Sequence, residues 1–101
     1  MNFKPGVPED LHVNMVRLLP VIDYISIGVC DRPAIITSTT DGKHLPDSLH
    51  YKGLAVDLRT RDLSIEDKQL YFSALKFALR KLCDVVLETD HIHVEYSPSD
   101  H

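Results

Sequence analysis

Ser48-Leu49-His50-Tyr51-Lys52-Gly53-Leu54-Ala55-Val56-Asp57 places a histidine and a carboxylate seven residues apart with a glycine between them. Seven residues of strand would separate His50 from Asp57 by ~23 Å and seven of helix by ~10 Å, so neither regular structure brings the two side chains to one point. The chain has to reverse between them, and Gly53 is the residue that permits a sharp turn or a close backbone approach. Beyond the turn, Leu54, Val56 and Leu58 alternate with Ala55 and Asp57, the period of a strand with one core face. The opposite face then carries a carboxylate beside the small side chain of Ala55, which leaves space next to it.

A second cluster obeys the same alternation. In Asp90-His91-Ile92-His93-Val94-Glu95-Tyr96, the apolar Ile92, Val94 and Tyr96 face one way, and His91, His93 and Glu95 the other. Two imidazoles and a carboxylate on one face are not a packing pattern. Neighbouring strands lie ~4.8 Å apart, so the polar faces of this strand and of the Asp57 strand converge if the two pair. Imidazole and carboxylate ligands collected in this way suit a catalytic zinc ion, which takes three protein ligands and keeps a fourth position for water. Spacing alone leaves two sets open: His50, Asp57 and His93, or Asp57, His91 and His93 with His50 outside.

The remaining elements follow from periodicity and punctuation. Ser64-Ile65-Glu66-Asp67 reads as a capping box that opens a helix running to about Leu82, with Ile65, Phe72, Leu75, Leu79 and Leu82 on its core face. Leu11 to Ile27 has helical spacing, but Pro20 kinks it or splits it in two, and Gly28 is a stop. Asp31-Arg32-Pro33 turns the chain into the β-branched strand Ala34 to Ser38, and Thr39 to Asp47 is loop. Val85 to Leu87 and Ile92 to Tyr96 form a hairpin around Glu88-Thr89-Asp90, and Ser97 to His101 is a polar, loose tail. The expected class is α+β, a small, mostly antiparallel sheet with helices packed on it.

Composition bounds what surrounds these motifs. With 101 residues, 44% hydrophobic and 26% charged, the chain is expected to form one domain over residues 1–101. A chain of this size buries little more than ~60% of its unfolded surface, so a bound metal would add usefully to a modest core. The formal net charge is −4 and basic residues are scattered, which excludes a stripe for tracking nucleic-acid phosphates. No apolar run approaches the ~20 residues of a membrane span. The start, Met1-Asn2-Phe3-Lys4-Pro5-Gly6, lacks the apolar core of a secretory signal, so the chain is expected to be made in the cytosol; separately, a monomer is expected. Cys30 and Cys83 fall outside any CxxC pairing and are expected to be reduced and packed.

Together, Ser48-x-His50-x-x-Gly53-x-Ala55-x-Asp57 and Asp90-His91-x-His93 resemble the signature of the M15 family of zinc peptidases. That family takes in D-alanyl-D-alanine carboxypeptidases, dipeptidases and phage endolysins of the Hedgehog/DD-peptidase fold. The order of helices, strands and loop follows the family over most of the chain. The resemblance implies one Zn2+ held by His50, Asp57 and His93, with Asp90 as general base and His91 close to metal and substrate. It implies hydrolysis of a peptide bond in peptidoglycan, in the stem or the cross-bridge. With no signal segment or wall-binding repeat read in the sequence, it points to a phage or prophage lysis enzyme that reaches the cell wall after the inner membrane opens. Substrate contacts are expected from Lys43, Ser48 and Tyr51. Glu88 and Glu95 read as solvated or supporting groups, and His12 and His101 lie outside both clusters.

One departure from the family concerns the substrate. Its members often carry an arginine shortly after the Thr-Ser strand, whereas this chain reads Thr37-Ser38-Thr39-Thr40-Asp41-Gly42-Lys43-His44. Lys43 or His44 would have to stand in, and lysine lacks the planar two-pronged grip of a guanidinium. That tilts the expectation towards an endopeptidase. The competing class is a non-catalytic, zinc-stabilised binding or virion-associated protein of the same fold. Asp90 separates the two, because a closed structural site needs no acid three residues before a ligand.

Overall fold

The strand alternation around Val56 and Val94 builds the centre of a five-stranded sheet. In the computed structural model, which describes residues 1–40 and 50–98, the elements are β1 (Asn2–Phe3), α1 (Val13–Val16), α2 (Leu19–Cys30), β2 (Ile35–Ser38), β3 (Ala55–Arg59), α3 (Ile65–Ala78), β4 (Cys83–Leu87) and β5 (His91–Tyr96). The strand order is β1-β2-β3-β5-β4. Strands β2, β3, β5 and β4 pair antiparallel in turn, whereas β1 lies parallel to β2. The expected mostly antiparallel sheet is thus corrected to a mixed one. Two residues of β1 are too short to show any periodicity, so the parallel edge left no trace in the sequence.

One sheet face is the core. Ile36, Val56, Leu58, Val85, Ile92 and Val94 are buried there with Met15, Leu18 and Ile22 from the α1–α2 segment and Tyr71, Leu75 and Leu79 from the α3 region. Each large apolar side chain so buried contributes about 1.5–3 kcal/mol. Cys83 joins this core, and burial pushes its thiol up to about 12. Cys83 and the half-buried Cys30 are both free thiols.

Helix ends show where local chemistry agreed with the pattern and where it did not. The Ser64 side chain accepts from the Asp67 amide at 3.1 Å, with Glu66 and Asp67 in the positive first turn. The helix stops at Ala78, short of Leu82. Its buried stripe is Tyr71, Leu75 and Leu79, while Ile65 and Leu82 are exposed. Ile65 sits in the outward-facing first turn, and Leu82 lies beyond the end of the 3.6-residue period. Pro20 falls in the first turn of α2, where its missing N–H is harmless, and the segment divides at Arg17–Leu18. Gly28 lies inside α2 rather than stopping it. Asp31 ends the helix in the left-handed region, φ 56°, donating its amide to Ile27, and Pro33 then follows. Val13–Cys30 is long and apolar enough by length and composition to cross a membrane, although Met15, Leu18 and Ile22 are buried in this core.

The reversal demanded between His50 and Asp57 is a tight turn. The Gly53 amide donates to the His50 carbonyl at 3.0 Å, and the Gly53 carbonyl accepts from the His12 amide at 2.9 Å. Gly53 has φ 70°, and a β-carbon there would lie 2.8 Å from the His12 backbone nitrogen. Left-handed strain and a backbone clash therefore coincide. Gly53→Ala is expected to cost about 3 kcal/mol, read as a lowered urea midpoint with an unchanged slope.

Candidate metal centre

The sheet face opposite the core carries the chemistry. Asp57 of β3 is registered directly opposite His93 of β5, Ala55 opposite Glu95, and Arg59 opposite His91. On the other side of β3, the register with β2 shifts between Ile36 and Ser38, which sets Ser38 opposite Asp57. Such a bulge re-aims the strand end, and the next carbonyl, that of Thr39, meets the His50 ring. His50 arrives from the Gly53 turn and is only 3% exposed.

Three atoms converge. His50 Nε2 lies 3.3 Å from Asp57 Oδ1 and 3.2 Å from His93 Nδ1, and His93 Nδ1 lies 3.0 Å from Asp57 Oδ1. A tetrahedral metal with bonds of about 2.0–2.1 Å needs ligand atoms ~3.3–3.4 Å apart. The observed triangle matches that spacing to within a few tenths of an ångström. Among the described residues this is the one group of His, Cys, Asp and Glu whose ligand atoms all come within 4.8 Å of one another. Of the two sets that spacing left open, the structure gathers the one containing His50.

The outward nitrogens fix which inner atoms carry lone pairs. His50 Nδ1 lies 2.7 Å from the Thr39 carbonyl, which can only accept, so Nδ1 carries the hydrogen and Nε2 is left with a lone pair in the neutral ring. His93 Nε2 lies 2.8 Å from Glu95 Oε1, which in the same way makes Nε2 the donor and turns the Nδ1 lone pair inward. A carboxylate behind a metal-binding histidine is the usual means of orienting the ring and raising its basicity. Three lone-pair atoms about 3 Å apart repel one another unless a cation, a proton or a metal, sits among them.

The titration of these groups reflects that arrangement. Burial alone would raise the Asp57 carboxyl, but hydrogen bonds from His50 and His93, which these rings can donate inward only when protonated, outweigh it and hold the group far below the usual carboxylate range. The Asp57 hydrogen bond raises His93 above an ordinary histidine, against the opposing effect of burial and with help from Glu95. Asp57 is anionic at neutral pH.

Asp90 and His91 stand beside this group. His91 Nδ1 lies 2.7 Å from Asp90 Oδ1, and His91 Nε2 lies 3.8 Å from Asp57 Oδ1. Asp90 is exposed, and the hydrogen bond from His91 lowers its carboxyl. Tyr51 is exposed within the turn next to His50. Lys43, His44 and Ser48 lie outside the described residues. Glu95 and the Thr39 carbonyl hold the two histidines. Strand parity put Glu95 on the correct face, but a backbone carbonyl acting on a ring eleven residues away leaves no signal in sequence. Glu95→Ala is expected to weaken zinc binding ~10–100-fold in competition with a chromophoric chelator.

The fold and the site thus define an α+β protein with a histidine-aspartate-histidine group of metal-binding geometry. Searched against models of known protein families and against curated proteins, the chain matches none.

Proposed function

We propose that this protein is a zinc metallopeptidase of the M15 type, with a Hedgehog/DD-peptidase-like fold, that hydrolyses a peptide bond in bacterial peptidoglycan. The observation that carries the reading is the triangle of His50 Nε2, Asp57 Oδ1 and His93 Nδ1, each histidine held from behind by an acceptor. Three protein donors fit a catalytic rather than a closed site. Zinc bound there would supply Lewis acidity and bring the pKa of a water molecule from 15.7 towards ~7.

The chain's own residues do the rest. Asp90, ionised at neutral pH, takes the proton of the attacking water and returns it to the departing amine. His91, its Nδ1–H held by Asp90, turns Nε2 towards the Asp57 side of the site, where a protonated ring would donate to the developing oxyanion. Ala55 keeps the face beside Asp57 free of bulk. Tyr51 on the turn, with Lys43 and Ser48, is assigned to the substrate side. The protein acts as a monomer on the cell wall after release from the cytosol, without nucleic acid or a membrane span, as a phage or prophage lysis enzyme would.

The test is digestion of purified peptidoglycan by the zinc-loaded protein and by the protein stripped with a chelator, with mass spectrometry of the released peptides. Cleavage at one bond type, lost on stripping and restored by zinc, is expected. No product with one zinc bound would replace this reading with a zinc-stabilised binding protein.

A further inference from the structure

A second feature of the same sheet face lies outside the metal triangle. Lys4, Thr37, Arg59, Arg61, Asp90 and His91 line a cavity of about 230 Å³. The fold brings these residues from four separate segments. Arg59 stands two residues after Asp57 on β3, opposite His91. The Thr60 amide bonds to the Asp90 carbonyl at 3.2 Å, which sets Arg61 beside Asp90, and the Lys4 amide bonds to Ile36, which hangs Lys4 at the end of β1.

Among the described residues none of Lys4, Arg59 and Arg61 makes an ion pair within 4.0 Å, and Arg59 Nε is buried with no hydrogen bond. Arg32 shows the contrast, gripping Asp62 through both terminal nitrogens at 2.6 and 3.0 Å. The one carboxylate in the cavity wall, Asp90, is engaged by His91. Three positive charges against one negative make this a locally cationic pocket in a chain of net charge −4. A buried donor left unpaired is costly, and a guanidinium fork matches the two oxygens of a carboxylate. The pocket abuts His91, whose other ring nitrogen points towards Asp57, so an acid held there is one residue's reach from the metal centre.

We propose that Lys4, Arg59 and Arg61 form a carboxylate-binding pocket that seats an acidic group of the peptide substrate beside His91. The identity of the ligand as a peptide rests on the peptidase reading; the anion grip does not. The probe is N-acetyl-D-alanine against its uncharged amide, titrated into the full chain by NMR with zinc absent, so that direct coordination to metal plays no part. The acid is expected to bind at least ~10-fold tighter than the amide, and Arg59→Gln or Arg61→Gln to remove ~10-fold of the acid's affinity while sparing the amide's. Arg61 and Lys4 are exposed, so Arg61→Gln and Lys4→Gln carry the test if Arg59→Gln does not fold. Equal affinity for acid and amide, or an acid preference that survives these substitutions, would overturn the pocket. Tighter binding of inorganic phosphate than of the acid would overturn the carboxylate assignment. Peptidoglycan cleavage without an acid preference would sink the pocket alone, and an acid preference without cleavage would sink the peptidase reading alone.

Discussion

Asp90→Ala is expected to keep one zinc per chain and to slow peptidoglycan cleavage by ~10²–10⁴-fold, the usual contribution of a positioned general base. Asp90 is exposed immediately before β5 and its side chain adds nothing to the core, so stability should hardly change. Its carboxyl lies below the ordinary range because His91 Nδ1–H donates to it at 2.7 Å, which leaves it in the base form at neutral pH. Asp90→Asn sharpens the test. Asparagine can still accept from His91 but cannot take a proton, so a base role predicts that Asn is nearly as slow as Ala. Recovery of the rate by Asn would make Asp90 a holder of His91 instead. Product release at the wild-type rate by Asp90→Ala would remove the residue from the mechanism.

His50→Ala is expected to lower zinc affinity by more than ~100-fold, because it removes a ligand and not merely a residue behind one. It also removes a buried ring held by the Thr39 carbonyl, so the zinc-free protein loses stability as well. The readout that separates the two effects is the rise in Tm on adding zinc. At a zinc concentration 100 times Kd, binding stabilises the folded state by about 2.7 kcal/mol, which for a chain of this size is a rise of about 10 °C or more. The wild type should show that rise and His50→Ala should not.

Much of this architecture was legible because two periods are written plainly in the chain. Alternation around Val56 and Val94 located β3 and β5 and put Asp57, His91, His93 and Glu95 on one face. The impossibility of joining His50 to Asp57 through regular structure called for the Gly53 turn. What stayed hidden arises from contacts across long separations. The pairing of Asn2–Phe3 with β2, the bulge at the end of β2 and the Thr39 carbonyl behind His50 have no local signature. Spacing puts Ile65 and Leu82 on the core face, but Ile65 falls in a first turn that faces outward and the helix stops short of Leu82. The cationic pocket was missed for a related reason. Lys4 lies more than fifty residues from Arg59 and Arg61, and a sequence scan sees scattered positive residues where the sheet makes a cluster.

The central claim, one metal held by His50, Asp57 and His93 with His91 outside, is tested most directly by calorimetric zinc titration of the wild type, His50→Ala and His91→Ala. The account predicts one zinc per chain for the wild type and for His91→Ala with similar affinity, and loss of that binding in His50→Ala. Zinc binding that survives His50→Ala and disappears in His91→Ala would contradict it.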